Sequence, residues 1–139
     1  MSAQNFKNHA RFVPLFHFVL SVIILALLVL AIINIAAGVT MQSVMFLLLA
    51  MAFIIAFITI RNFPLAVQDR AIRAEENLRH FVLTGKLLDS RLTIQQIIAL
   101  RFAADEELVE LADKAIKENL SNKDIKQAVK NWRADHHRA

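Results

Sequence analysis

Two long apolar runs dominate the first half of the chain, and an amphipathic pattern replaces them in the second. The first run, Leu15 to Ala37, carries only His17, Ser21 and Asn34 as clearly polar side chains; the second, Met41 to Ile60, carries Gln42, Ser43 and Thr59 near its ends. A short connection around Gly38 separates them. A helix rises about 1.5 Å per residue against a hydrocarbon core of about 30 Å, so either run is long enough to cross a bilayer. Lipid offers no partner to backbone N–H and C=O groups, which makes an unbroken helix the expected form of each. The pattern predicts a transmembrane helical hairpin over residues 15–60. The soluble alternative, two buried helices, leaves too little chain to cover two cylinders that are apolar all round.

Pro64 marks the end of the apolar pattern. Proline cannot donate to the preceding turn and disfavours helix at the residue before it, so a kink or restart is expected near Asn62 and Phe63. From Leu65 the pattern becomes amphipathic, with Ala71, Ala74, Leu78, Phe81 and Val82 on one stripe and the helix stopping before Gly85. Asp69 with Arg73 and Glu75 with Arg79 have the spacing of surface pairs. Thr93 with Gln96 fits a capping box opening a short helix that buries Ile94, Ile97, Ile98 and Phe102. Asp105 is placed to cap the next helix, whose first turn holds Glu106 and Glu107 and whose later turns hold Lys114 and Lys117. Its stripe is Leu108, Leu111, Ala112, Ala115, Ile116 and Leu120. Ser121 with Asp124 opens a last helix, with Ile125, Ala128, Val129 and Trp132 on one face and Lys123, Lys126, Lys130 and Arg133 on the other. No segment carries a strand signal. The expected fold is all-α: a transmembrane hairpin followed by a small bundle of about four amphipathic helices.

Charge orients this arrangement. Lys7 and Arg11 precede the first run, Arg61, Arg70 and Arg73 follow the second, and the connection has no basic residue. By the positive-inside rule both termini face the cytoplasm. Three divisions follow: a cytoplasmic lead over residues 1–14, the hairpin over 15–60 and a cytoplasmic helical domain over 61–139. The lead, with Phe6, Ala10 and Val13 at helical spacing, fits either an amphipathic segment in the headgroup layer or a loose tail with interfacial anchors. The basic start also resembles a signal peptide, but the apolar run is longer than a signal core and a second run follows at once, so uncleaved insertion in a membrane is expected.

Composition adds exclusions. Twelve acidic residues all lie at Asp69 or later, and removing Lys7 and Arg11 from the net charge of +4 leaves +2 over residues 61–139. That modest excess is no basic patch of the kind that binds nucleic acid. The absence of cysteine excludes disulfides and thiolate chemistry. The runs contain no Asp, Glu, Lys or Arg, so a transport pathway has nothing to line it. Ala52 and Ala56 form a small-xxx-small pair that would let the two helices, or two copies, approach closely. Phe46, Phe53 and Phe57 line a neighbouring face suited to lipid or a partner helix, and Asn34 suits an interhelical hydrogen bond or an interfacial position.

Four segments carry a resemblance: QNFKNHARF (Gln4 to Phe12), VQDRAIRAEENLR (Val67 to Arg79), LRFAADEEL (Leu100 to Leu108) and IKQAVKNWRAD (Ile125 to Asp135). With these in order along nearly the whole chain, the protein resembles a family of small uncharacterised bacterial integral membrane proteins known only as a domain of unknown function. The resemblance implies two transmembrane helices and a cytoplasmic helical tail, and it brings no activity, cofactor or catalytic residue.

Candidate chemistry is sparse. Arg101 lies on an otherwise apolar helix with Asp105 four residues on, which predicts a structural ion pair clasping two short helices, with anion binding as the alternative. Asp105, Glu106, Glu107 and Glu110 lack the spacing of a calcium loop and read as an acidic helix start. Asp135, His136 and His137 could contact a transition metal, although neighbouring histidines in a tail are usually solvated. Nothing aligns a nucleophile with a base, and two glycines in the whole chain leave no phosphate loop. No cofactor and no enzymatic activity are expected. A cytoplasmic part this small closes only a marginal core. The expected function is that of a membrane-anchored interaction or accessory protein that docks on a protein partner or a second copy. The alternative is a peripheral anionic-lipid-binding module using Lys123, Lys126, Lys130, Arg133 and Arg138 with Trp132.

Overall fold

The computed structural model describes residues 4–6, 8 and 12–135; Lys7, His9, Ala10 and Arg11 of the lead, and His136, His137 and Arg138 of the tail, lie outside the described residues. Among the described residues the protein is all-helical, without strands. A π-helical turn, Leu15–Leu20, leads into α1 (Ser21–Ala37), followed by α2 (Met41–Thr84), α3 (Ile94–Leu100), α4 (Asp105–Lys117) and α5 (Asn122–Ala128). The chain divides into two compact units, Arg11–Pro64 and Leu65–Ala139 with Met1–Ala10, so the boundary falls at Pro64 rather than at Ile60.

In the first unit, α1 and the opening half of α2 form an apolar hairpin. Leu15–Ala37 and Met41–Thr84 are each long and apolar enough to cross a membrane. The inward positions recur in steps of four and three: Ile24, Leu28, Ala31 and Ile35 on one helix, Ser43, Leu47, Ala50, Ile54 and Phe57 on the other. That spacing keeps one seam facing the partner helix. Phe16 stacks on Phe57 with ring centroids 4.5 Å apart. The small residues at the seam are Ala31, Ser43 and Ala50, all buried. Ala52 and Ala56, expected to let these helices or two copies approach, do not lie between α1 and α2: they are exposed, two positions off the seam, on the opposite side of α2. Asn34 is also exposed, on the rim of an apolar recess of about 600 Å³.

The tip explains the buried serine. Thr40 donates its backbone N–H to Ser43 Oγ at 2.8 Å, and Ser43 donates its own to Thr40 Oγ1 at 3.1 Å. The Ser43 hydroxyl donates to the Gly38 carbonyl at 2.9 Å. A capping box thus supplies the first amides of α2 and ties them back to the end of α1.

The restart expected near Asn62 and Phe63 does not occur, since α2 contains Pro64 as an internal residue. Proline deletes one ladder hydrogen bond, that to Ile60, and helix on both sides retains the others. The second span and the first amphipathic helix are therefore one element. It ends where expected: Gly85 has φ +74° and donates to the Phe81 carbonyl at 2.7 Å, closing the helix with a left-handed residue.

In the second unit, α3, α4 and α5 enclose a core of Ile97, Leu100, Phe102, Leu108, Ala112, Ala115 and Ile125. The Thr93–Gln96 and Ser121–Asp124 capping boxes both form. Gln96 also donates to the Leu120 carbonyl at 3.0 Å, linking the start of α3 to the end of α4. There Asn119 takes φ +48°, and Leu120 donates to the Ala115 carbonyl at 3.0 Å, a Schellman closure. Asp105 does not cap α4; Ala104 holds the N-cap position, without a side-chain bond, and Asp105 is the first helical residue. Its carboxylate is drawn instead to Arg79.

The apolar stripe of α2 faces out: Leu78 is 64% exposed, Phe81 49% and Val82 75%. The buried residues of this section are Ile72 and Glu76. The last helix also stops early, at Ala128, so that Lys130, Trp132 and Arg133 sit on an extended segment rather than on a helical face. The cause is Glu107, whose carboxylate accepts the backbone N–H groups of Lys130 at 3.1 Å and Asn131 at 3.0 Å. The segment then pairs with the α3–α4 junction: Ala104 donates to the Asn131 carbonyl at 3.1 Å and Arg133 to the Phe102 carbonyl at 2.8 Å.

Candidate functional site

The polar residues of the second unit converge where α2, the α3–α4 junction and the C-terminal segment meet. Glu76 occupies the buried side of α2, and a carboxylate taken from water needs charged or hydrogen-bonding partners. Arg79 supplies one, its NH1 lying 3.0 Å from Glu76 Oε2. The same guanidinium donates Nε to Asp105 at 2.6 Å and NH2 to the Ala103 carbonyl at 2.7 Å. Arg133 approaches Glu76 from the C-terminal segment at 3.5 Å. Arg101, itself buried, pairs with Asp135 at 3.1 Å. Three guanidiniums thus meet three carboxylates.

The Arg101–Asp105 clasp expected from spacing is accordingly replaced by two others. Asp105 lies at the exposed start of α4, within reach of Arg79, while Arg101 turns towards the extended segment and Asp135. Its guanidinium also sits 4.7 Å from the centre of the Phe102 ring. Asp135 is fixed further by Gln4, which accepts from the Asp135 backbone N–H at 2.7 Å and donates Nε2 to the Asp135 carbonyl at 3.3 Å. A cleft of about 380 Å³ opens beside these groups, lined by Ile72, Glu76, Arg101, Arg133 and Asp135 among others. Its charges answer one another, which suits a clamp holding α2 to the bundle better than a receptor for a free anion.

The basic residues assigned to one helical face are dispersed. Lys126 lies 5.7 Å from the Phe102 ring centre, and Trp132 packs against the same ring at 4.9 Å. Arg133 joins Glu76, Lys130 is held through its backbone by Glu107, and Lys123 is exposed. The expected Asp69–Arg73 and Glu75–Arg79 pairs give way to Glu76–Arg79. Glu76 and Glu107 are the residues that sequence reasoning missed. The acidic first turn of α4 is a visible signal for Glu107, but nothing local separates Glu76 from Glu75.

Outside the cluster, hydrogen bonds from the Arg91 guanidinium and backbone lower the Asp89 carboxyl to about 2. Asp124 is lowered by the hydroxyl and backbone N–H of Ser121. Both belong to turns and caps. Among the described residues no group of three or more His, Cys, Asp or Glu is arranged to hold a metal ion.

The site thus belongs to an all-α protein in which an apolar hairpin runs into a helical unit locked by buried ion pairs, with an apolar stripe left open on α2. The chain belongs to a family of unknown function, DUF6526, whose model matches residues 1–139. No curated protein and no solved structure matches it.

Proposed function

We propose that the protein is a non-enzymatic accessory component of a bacterial inner membrane, anchored by the hairpin with both ends on the cytoplasmic side, and that its helical unit docks on another protein chain. The observation that carries this reading is the exposed stripe of α2: Val67, Ala71, Ala74, Leu78, Phe81 and Val82. A helix that gives Ile72, Glu76 and Arg79 to the bundle and turns this apolar stripe outward leaves surface that water solvates poorly, and contiguous patches of this kind mark interaction sites. The outward apolar side chains of the hairpin, among them Leu25, Leu30 and Ile55, support insertion in lipid, and the basic flanks support the orientation. The engagement of Lys126, Trp132 and Arg133 within the unit argues against the alternative of a basic lipid-binding face.

Purification in mild detergent, with the complex weighed and its components identified, tests the proposal. The expected result is an assembly heavier than one chain. A stable, lone monomer overturns the reading.

A further inference from the structure

The open stripe of α2 has the spacing of a coiled-coil seam. Val67, Ala71, Ala74, Leu78 and Phe81 follow one another in alternating steps of four and three residues. In heptad terms Ala71 and Leu78 occupy a positions and Val67, Ala74 and Phe81 occupy d positions. The residues that attach α2 to its own bundle, Ile72, Glu76 and Arg79, then fall at b and f, on the far side of the helix. The free face is therefore the one a second helix would use: Leu78 and Phe81 are exposed, while Ala71 and Glu75 border the cleft beside Arg101, Arg133 and Asp135.

The charges flanking the seam select the occupant. Arg70 falls at g and Glu75 at e of the following heptad, the two positions that meet between chains in a parallel pair. Both are exposed, and among the described residues neither forms an ion pair within its own chain. A parallel second copy would thus bring Arg70 of each chain to Glu75 of the other, twice by symmetry, whereas an antiparallel copy would not.

We infer that α2 forms a parallel, two-fold symmetric homodimer through the Val67–Phe81 seam, with reciprocal Arg70–Glu75 pairs. This rests on the membrane-anchored docking reading above and names the docking partner as a second copy of the chain. A two-fold axis running between the paired helices makes the contact self-complementary. So short a seam is weak between free peptides, but confinement to one membrane raises the effective concentration of the second helix. Each helix is also already ordered against its own bundle, which lowers the ordering cost of pairing. Ala71 and Ala74 allow the backbones to come close, and Leu78 and Phe81 supply apolar area.

The absence of cysteine makes the test clean. Single substitutions Ala74→Cys, Leu78→Cys and Arg73→Cys are placed in the full chain, reconstituted in vesicles and mildly oxidised. Ala74→Cys and Leu78→Cys are expected to give disulfide-linked dimers, and Arg73→Cys, exposed but off the seam, to give several-fold less. Glu75→Arg in the Ala74→Cys chain is expected to lower the dimer yield several-fold, and adding Arg70→Glu to restore it. Equal cross-linking at Arg73 and Ala74, or loss without recovery in the charge swap, overturns the seam. Absence of dimer from both seam positions also overturns it. In that case, co-purification of the unmodified chain with a different protein keeps the docking reading alive, and a lone monomer removes both.

Discussion

Arg79 bears the heaviest responsibility of any single residue, because it answers Glu76, Asp105 and the Ala103 carbonyl together. Glu76 is only 4% exposed, so losing its close partner leaves a buried carboxylate with the more distant Arg133. Arg79→Ala is expected to destabilise the helical unit by about 3 kcal/mol, the usual cost of breaking a buried pair. Glu76→Gln, which removes that charge, is expected to cost less; chemical unfolding in detergent measures both. At Asp89 the expectation concerns acid. Its folded pKa of about 2 lies below the ordinary 3.8, so its contribution is present at pH values above the ordinary range and is lost as pH falls towards 2. Nuclear magnetic resonance should show the Asp89 carboxyl titrating near the lower value, and Arg91→Ala should return it to the ordinary range. Side-chain pairing was the least legible scale in the sequence. The Thr93–Gln96 and Ser121–Asp124 boxes are local and could be read directly. Arg101 and Asp105 have the spacing of a pair, yet each finds a partner distant along the chain, Asp135 and Arg79 respectively.

Among the elements, α2 shows why periodicity alone can select the wrong side. Ala71, Ala74, Leu78, Phe81 and Val82 form the more hydrophobic stripe, but the bundle receives Ile72 and Glu76, with ion pairs supplying the attachment. Two substitutions separate the sides. Ile72→Ala should cost about 2–4 kcal/mol through lost burial and a cavity, whereas Leu78→Ser should change the stability of a single copy by no more than about 0.5 kcal/mol. Equal losses would contradict the placement of the stripe. At the end of the helix, a Cβ on Gly85 would meet no atom within 4 Å, so Gly85→Ala tests the positive φ alone. A loss of about 1–2 kcal/mol in thermal unfolding is expected. Helix α5 was legible at its start and not at its stop, because the carboxylate that ends it belongs to α4.

For the whole molecule, the division into two units at Pro64 predicts separate unfolding events. Denaturant applied in detergent should melt the helical unit first and leave the hairpin helical. Trp132, the one tryptophan in the chain, sits against Phe102 in the core and should report only the first event. Simultaneous loss of tryptophan signal and all helicity would contradict this. The two apolar runs and the helical class were legible because each depends on a long, repeated pattern. The charged junction was not, since it joins Gln4, Glu76, Arg101 and Asp135 from remote parts of the chain. The two hydrogen bonds between Gln4 and Asp135 close the intervening polypeptide into a ring. Tension applied between these residues would load that clasp before any helix, so a single-molecule pulling trace should begin with a small rupture that Gln4→Ala abolishes.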